Sequence, residues 1–384
     1  MNSTKGRVLV AMSGGVDSSV AAYLLTQAGY ECIGVTMRLF DNSDAGIPVG
    51  STCCSLDDVE DAKDAARRLG IHHYVFNFTD DFKRDVIGRF ADAYARGETP
   101  NPCIDCNRYL KFGRLYERAK QLGCDFIATG HYARICRDEN RRYLLKKAVD
   151  ETKDQSYVLY SMTQDELAHT LFPLGELTKK QVREIAAKIG FCNAKKPESQ
   201  DICFAPDGDY AAAIERYTGK TFPPGRFVSK DGKYIGENKG IIHYTIGQRR
   251  GLGISASGRI YVLEKRAETN EVVLGDESEL YAGALLARDF NWISRDEPEE
   301  GEKIRVSVRT RYRQRETSAY AYVAGFADEN KDGRDGNNSG SDNINAVVRV
   351  DFDEPVRAVA PGQAVVLYDG DVVVGGGIIA KAIY

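Results

Sequence analysis

The run Val8-Leu9-Val10-Ala11-Met12-Ser13-Gly14-Gly15-Val16-Asp17-Ser18-Ser19-Val20 constrains this chain more than any other segment. An apolar strand runs straight into a glycine pair and then opens a helix. Gly14 and Gly15 let the backbone approach a ligand closely, and the N–H groups of the first helical turn point outward with the positive end of the helix behind them. Such a cradle suits an oxyanion, above all the pyrophosphate of a nucleotide. No lysine follows the glycines in G-x-x-x-x-G-K-[ST] spacing, so the Walker phosphate loop is excluded.

The residues that follow keep the same rhythm to about position 150. Short β-rich runs at Arg7 to Met12, Glu31 to Leu39, His73 to Phe78 and Asp125 to Gly130 alternate with helical runs at Ser18 to Ala28, Asp57 to Leu69, Asp80 to Arg96 and Leu110 to Leu122. Three of these helices are stopped by Gly29, Gly70 and Gly123, the residue a helix end prefers. The alternation predicts an α/β domain with a doubly wound parallel sheet, whose ligands sit beyond the carboxyl ends of the strands. Ser13 to Asp17, Met37 and Gly130-His131-Tyr132 all fall there.

With 384 residues the chain is too long for one core. Helical patterning continues through Gln164 to Leu171 and Lys179 to Ile189, and from about Phe222 the sequence turns rich in Gly, Val, Ile and Tyr with frequent turn signals. The expected organisation is a nucleotide-binding and catalytic domain at 1–206, a small β-rich module at 207–282 and a C-terminal β-barrel at 283–384. Within the barrel, 327–345 is almost purely Asp, Asn, Gly and Ser and reads as a mobile loop joining two strands.

Composition narrows the setting. No apolar run is long enough to cross a bilayer and the N-terminus lacks a signal-peptide pattern, so a soluble cytoplasmic protein with no membrane partner is expected. A net charge of −4 provides no global attraction to nucleic acid, and any RNA site must be a local basic patch. Nine cysteines, an odd number, argue for reduced thiols over a disulfide scaffold. Cys103 and Cys106 form a C-x-x-C in a loop stiffened by Pro100 and Pro102; by itself this is a zinc half-site, a redox pair or two unrelated thiols. A second C-x-x-C is lacking, which disfavours structural zinc.

The SGGVDS string resembles the PP-loop of ATP pyrophosphatases, in which Asp17 would help hold magnesium while Ser13, Ser18 and the loop amides take the phosphates. Taken with TPNPCIDCN at 99–107, ATGHY at 128–132, KDQSYVLY at 153–160, SQDICF at 199–204, GQRRGLGI at 247–254 and TRYRQ at 310–314, the whole chain resembles the tRNA-specific 2-thiouridylases. The resemblance implies replacement of the C2 oxygen of a wobble uridine by sulfur. It implies Cys106 as catalytic nucleophile and Cys203 as persulfide carrier. The ATP site would comprise Ala11, Met12, Ser13, Gly14, Gly15, Val16, Asp17, Ser18, Met37 and Gly130. Asn101, Pro102 and Cys103 match the segment against the target base, and Lys153, Asp154, Gln155, Arg311 and Tyr312 match tRNA contacts. The implied partners are tRNA and a persulfide donor such as a cysteine desulfurase or relay protein.

One position departs from that pattern: Cys103 stands where the family has aspartate, so no carboxylate role carries over to it, and Asp105 points elsewhere if the register is kept. Cys103, Cys106 and Cys203 would also make a three-thiol ligand set for a [4Fe–4S] cluster, an alternative sulfur route.

The implied chemistry makes demands that residues can meet. A uracil carbonyl is a poor electrophile until O2 attacks the α phosphorus of ATP and becomes part of a leaving group. A Cys203 persulfide then delivers sulfur to C2, AMP departs, and Cys106 ends in a disulfide with Cys203. Arg108, Lys111, Lys195 and Lys196 are expected to lower the thiol pKa values. Arg305, Arg309, Arg311, Arg313 and Arg315 alternate with apolar residues and predict a phosphate-binding stripe on one strand face. The competing readings are another PP-loop ligase acting on a small molecule, and an RNA-binding module with a vestigial loop.

Overall fold

The structure is a computed structural model and describes residues 4–40, 56–196, 202–205, 207–255, 258–326 and 346–384. The loop expected at 327–345, the Cys53-Cys54 pair and Ser199 to Asp201 lie outside the described residues. The chain forms two compact units, one of Met1–Asp92, Pro102–Thr221 and Asp371–Val373, the other of Ala93–Asn101, Phe222–Gly370 and Val374–Tyr384. Among the described residues no helix is long and apolar enough to cross a membrane.

In the first unit β1 (Arg7–Ala11) leads through the Gly14-Gly15 turn into α1 (Val16–Gln27) and then β2 (Glu31–Arg38), β3 (His72–Asn77) and β4 (Phe126–Ala128). A hairpin of β5 (Ala133–Arg137) and β6 (Tyr143–Lys147) precedes the short β7 (Thr170–Leu171). The sheet order is β3-β2-β1-β4-β7 with every neighbour parallel. Val8, Leu9 and Val10 have no exposed surface, as a central strand covered on both faces requires. From β1 the order runs to β2 and β3 on one side and to β4 and β7 on the other. The gap beyond the carboxyl ends of β1 and β4 is therefore the topological switch point where such sheets bind ligands.

The helix stops are as the glycines dictate, with φ of +90° at Gly29, +69° at Gly70 and +67° at Gly123. Three elements differ from the sequence reading. The helical run expected through Gln164 to Leu171 ends at Ala168, and Thr170–Leu171 pairs alongside β4 as β7. The helix expected from Leu110 starts at Pro102 and runs to 121, because proline lacks only an N–H that the first helical turn leaves unpaired anyway. Cys103 and Cys106 consequently ride on a helix, not on a loop, and Cys106–Arg114 within it is π-helical. In the module expected to be β-rich at 207–282, Tyr210–Thr218 is a helix, opened by Asp209 accepting from Ala212 N–H at 3.0 Å and closed by left-handed Gly219.

The second unit holds β8 (Gly225–Ser229), β9 (Tyr234–Asn238), β10 (Tyr261–Arg266) and β11 (Glu271–Gly275) in the order β10-β11-β8-β9. Six further strands follow: β12 (Tyr281–Trp292), β13 (Ile304–Arg309), β14 (Thr317–Phe326), β15 (Ala346–Arg357), β16 (Ala364–Asp369) and β17 (Val372–Ile383). They run β12-β15-β14-β13-β16-β17, and β12 pairs with β17 to close the barrel. Leu285, Val308, Val350, Val365 and Leu367 fill its interior. The segment Ala93–Asn101 is fastened to this unit. Thr99 N–H donates to Pro361 O at 2.8 Å, Gln363 Nε2 donates to Thr99 O at 2.8 Å, and the buried Lys265 ammonium donates to Glu98 O at 2.9 Å.

Candidate active site

The loop after β1 is held by its own small residues. Gly14 has φ +76°, and a Cβ there would lie 2.2 Å from the carbonyl oxygen of Asp58, so no other residue fits. Ser18 Oγ accepts from Ser13 N–H and donates to Gly15 O, each at 3.1 Å. Gly15 precedes α1 without a side-chain cap, which leaves the first-turn N–H groups for a ligand. Gly130, just past β4, touches that turn: a Cβ would stand 2.8 Å from Ser18 N and 2.9 Å from Asp17 C. Met12 N–H donates to Val35 O at 2.8 Å and Thr36 Oγ1 donates to Met12 O at 2.7 Å, so the end of β2 that carries Met37 adjoins the same loop. Ala11 to Ser18, Met37 and Gly130 thus gather at the switch point.

Two residues not singled out in the sequence complete this end of the sheet. Lys179 Nζ donates to both Asp17 oxygens at 2.7 Å, and Tyr132 OH donates to Oδ1 at 2.8 Å. Thr178 and Gln181 form a capping box that sets Lys179 as the first residue of its helix, where a cation opposes the helix dipole. That unfavourable placement was the available signal. Asn193 is buried and donates to Gly14 O at 2.8 Å and Ser19 Oγ at 3.0 Å, while its own Oδ1 has no hydrogen-bond partner. The donor set fits magnesium in a limited way: Asp17 offers one carboxylate, and such an ion takes its remaining ligands from substrate phosphates and water.

The cysteines behave differently from the sequence expectation. Burial pushes the Cys106 thiol above its ordinary value; Lys111 opposes this and Asp105 adds to it, so the expected lowering does not occur. Lys196 is committed elsewhere, to Asp58 at 2.7 Å and Asp61 at 2.6 Å, and Arg108 lies over the Tyr109 ring. The Lys195 side chain is outside the described part. Asp105 faces Arg89 at 3.7 Å, and Cys103 is exposed. Cys203 is half-buried beside Phe204, whose ring packs edge-on against Phe82 and Phe90 at 5.9 and 5.4 Å. Cys106 is not joined in a disulfide in the structure. Among the described residues no three His, Cys, Asp or Glu side chains are grouped to hold a metal ion.

Several residues matched to tRNA contacts have structural work. Asp154 is buried and accepts from Ala148 N–H, Ser156 N–H and Ser156 Oγ at 3.0–3.2 Å. Gln155 Oε1 accepts from Tyr132 N–H at 2.9 Å, bracing the loop that carries Gly130. Lys153 and Tyr312 are half-buried, Asn101 ends the 93–101 segment, and Pro102 is buried at the helix start. The arginine stripe is not formed. Ile304, Val306 and Val308 face the barrel interior as the alternation requires, but β13 stops at Arg309 because Gln314 Oε1 caps the Thr310 N–H and hydroxyl at 3.0 and 2.7 Å. Arg305 is paired with Asp353, Arg309 with Glu316, and Arg311 donates to Ala358 O at 2.6 Å. Arg313 and Arg315 remain exposed.

Comparison with known proteins matches residues 6–207 to the family described as tRNA methyl transferase HUP domain, 212–276 to tRNA methyl transferase PRC-barrel domain and 340–379 to Aminomethyltransferase beta-barrel domain. The chain is 50% identical over 378 residues to the tRNA-specific 2-thiouridylase MnmA of Acetivibrio thermocellus, covering 98% of this chain and 99% of that one. Identity to the protein of the same name from Clostridioides difficile is 47%, again over 98% and 99% of the two chains. With MnmA 2 of Caldanaerobacter subterraneus it is 49%, over 98% of each.

Proposed function

Because this chain belongs to the tRNA-specific 2-thiouridylase family, we propose that it uses ATP to replace the C2 oxygen of a tRNA wobble uridine with sulfur taken from a cysteine persulfide. The observation that carries the reading is the uncapped first turn of α1, flanked by Gly130 and by the Asp17–Lys179 pair. The loop amides and Ser13 would take the β and γ phosphates, with Lys179 adding positive charge to a cradle that sequence alone left neutral. Asp17 would hold a magnesium ion, which would supply further neutralisation of phosphate charge.

Uracil O2 attacks the α phosphorus and pyrophosphate leaves. The terminal sulfur of a Cys203 persulfide, given by a donor protein, then bonds to C2. AMP departs with the original oxygen. The Cys106 thiolate attacks the inner sulfur of Cys203, breaking the S–S bond; the released sulfur stays on the base and a Cys106–Cys203 disulfide forms. An external thiol reductant returns both cysteines to thiols. The Cys203 persulfide and then Cys106 each lose a proton in this sequence, and burial opposes the loss from Cys106.

Pyrophosphate release with and without tRNA, together with mass spectrometry of the digested nucleosides, tests the reading. Release is expected only with tRNA, and Cys203→Ser should retain it while forming no 2-thiouridine. Release without tRNA would instead support a small-molecule ligase. Absence of release in every condition would support a binding module whose loop has lost its chemistry.

A further inference from the structure

Cys106 opens the π-helical stretch, and Lys111 follows five residues later. In a helix whose backbone bonds span i to i+5, as that of Leu115 N–H to Leu110 O does, these two side chains rise from the same side one turn apart. The ammonium does not swing freely. It donates to Nε2 of His131 at 3.5 Å, which sets the imidazole proton on Nδ1, and Nδ1–H donates to Thr129 Oγ1 at 2.7 Å. His131 is buried, and its ring lies against Phe112 and Phe172 with centroids 6.0 and 5.8 Å away.

We propose that Lys111 is the counter-charge of the Cys106 thiolate and that His131 is the positioning residue that holds it in place. Charged neighbours of opposite effect bear on the thiol. Asp105, the preceding residue, repels a thiolate but is partly neutralised by Arg89 at 3.7 Å; Lys111 is the cation that favours one. Burial and Lys111 hold the His131 imidazole well below its ordinary range. It therefore stays neutral, accepts from Lys111 throughout, and contributes no titration of its own near neutrality. A half-buried nucleophile with a fixed cation beside it can be kept protonated at rest and yet ionise without a separate base.

The inference rests on the proposed role of Cys106 only for its consequence, since its test uses the full chain without ATP or tRNA. Iodoacetamide alkylation of Cys106 is followed by peptide mass spectrometry across a pH series, with exposed Cys136 as an internal reference. Lys111→Met should move the Cys106 curve about one pH unit upward, roughly tenfold slower alkylation at neutral pH, and Lys111→Arg should restore most of the rate. His131→Phe, which keeps the ring packing and removes the acceptor, should shift the curve the same way by less. The Cys136 curve should coincide in all variants. A Cys106 curve unmoved by Lys111→Met, or a common shift of both cysteines, overturns the proposal. If Lys111→Met does not fold, His131→Phe decides, and an unmoved curve there overturns the positioning role. Thiolation activity can survive either failure.

Discussion

Gly14 and Gly15 are adjacent in sequence and opposite in what they tolerate, which makes alanine at each a direct reading of the loop. At Gly14 the backbone is left-handed, φ +76°, and the added methyl would sit 2.2 Å from a carbonyl oxygen in the helix Leu56–Leu69 that cannot rotate aside. At Gly15 the backbone is extended, φ −83°, and the methyl would meet only Ser13 Oγ at 3.4 Å. A left-handed L-residue costs about 1–2 kcal/mol and overpacking against fixed atoms about 1–3 kcal/mol, so Gly14→Ala should lose roughly 2–5 kcal/mol. For a unit of this size each kcal/mol moves the melting point about 2–4 °C, which gives a drop of roughly 4–20 °C. Gly15→Ala should stay within about 1 kcal/mol of the parent, because fewer unfolded conformers offset the lost freedom. Thermal melts followed by intrinsic fluorescence, paired with titration of a fluorescent ATP analogue, separate the two. Gly14→Ala should melt lower and bind the analogue poorly. A Gly14→Ala protein that melts within about 1 °C of the parent and binds the analogue equally well would mean that the loop is not pinned against that helix.

Lys179→Met leaves the half-buried Asp17 carboxylate with the Tyr132 hydroxyl and no cation; it should lower stability by about 1–3 kcal/mol and suppress tRNA-dependent pyrophosphate release, and parental turnover would refute it. Burial lowers the Lys265 ammonium to about 7, so the unfolded chain binds one more proton than the folded one from there up to about pH 10.4, and this residue makes stability rise with pH across that window. Relative to the parent, the melting point of Lys265→Met should therefore improve as pH falls from around 9.5 to around 6, and a constant difference would count against the buried charge. Arg313 is exposed whereas Arg305 is bound to Asp353, so Arg313→Gln should flatten the log–log salt dependence of tRNA binding by roughly 0.7–0.9 and Arg305→Gln should not. The reverse ranking in filter-binding titrations would remove Arg313 from the RNA surface.

What could be read from the residues was whatever depends on neighbours in the chain. Apolar runs closed by Gly29, Gly70 and Gly123 placed the helix ends, and the Ser-Gly-Gly turn placed the loop at the switch point. Pairings across long separations left no such trace. Lys179 meets Asp17 from 162 positions away, and only its uneasy place at a helix start hinted at a partner. The arginine alternation misled for a related reason: period two is informative inside β13, but a side-chain cap at Thr310 ends the strand, and Glu316 and Asp353 are found only once the barrel is closed. Basic residues near Cys106 in sequence suggested an ionised thiol, yet burial outweighs the charge of Lys111, and burial is a property of the packed molecule.

The anchoring of Ala93–Asn101 also has a consequence in time. The chain is made from its N-terminus, and Thr99 leaves the ribosome 264 residues before Gln363, which caps its carbonyl, and Pro361, which receives its N–H, emerges only two residues before that. At about 5–20 residues per second the segment waits roughly 10–50 s for its partners. Through that interval Ala93–Asn101 lacks the backbone partners that hold Thr99 in the finished unit. A ribosome stalled before β16 would carry the nucleotide loop in full but leave Thr99 without the backbone partners that fix it. A segment made early in synthesis is thereby fixed late, by residues near the end of its own unit.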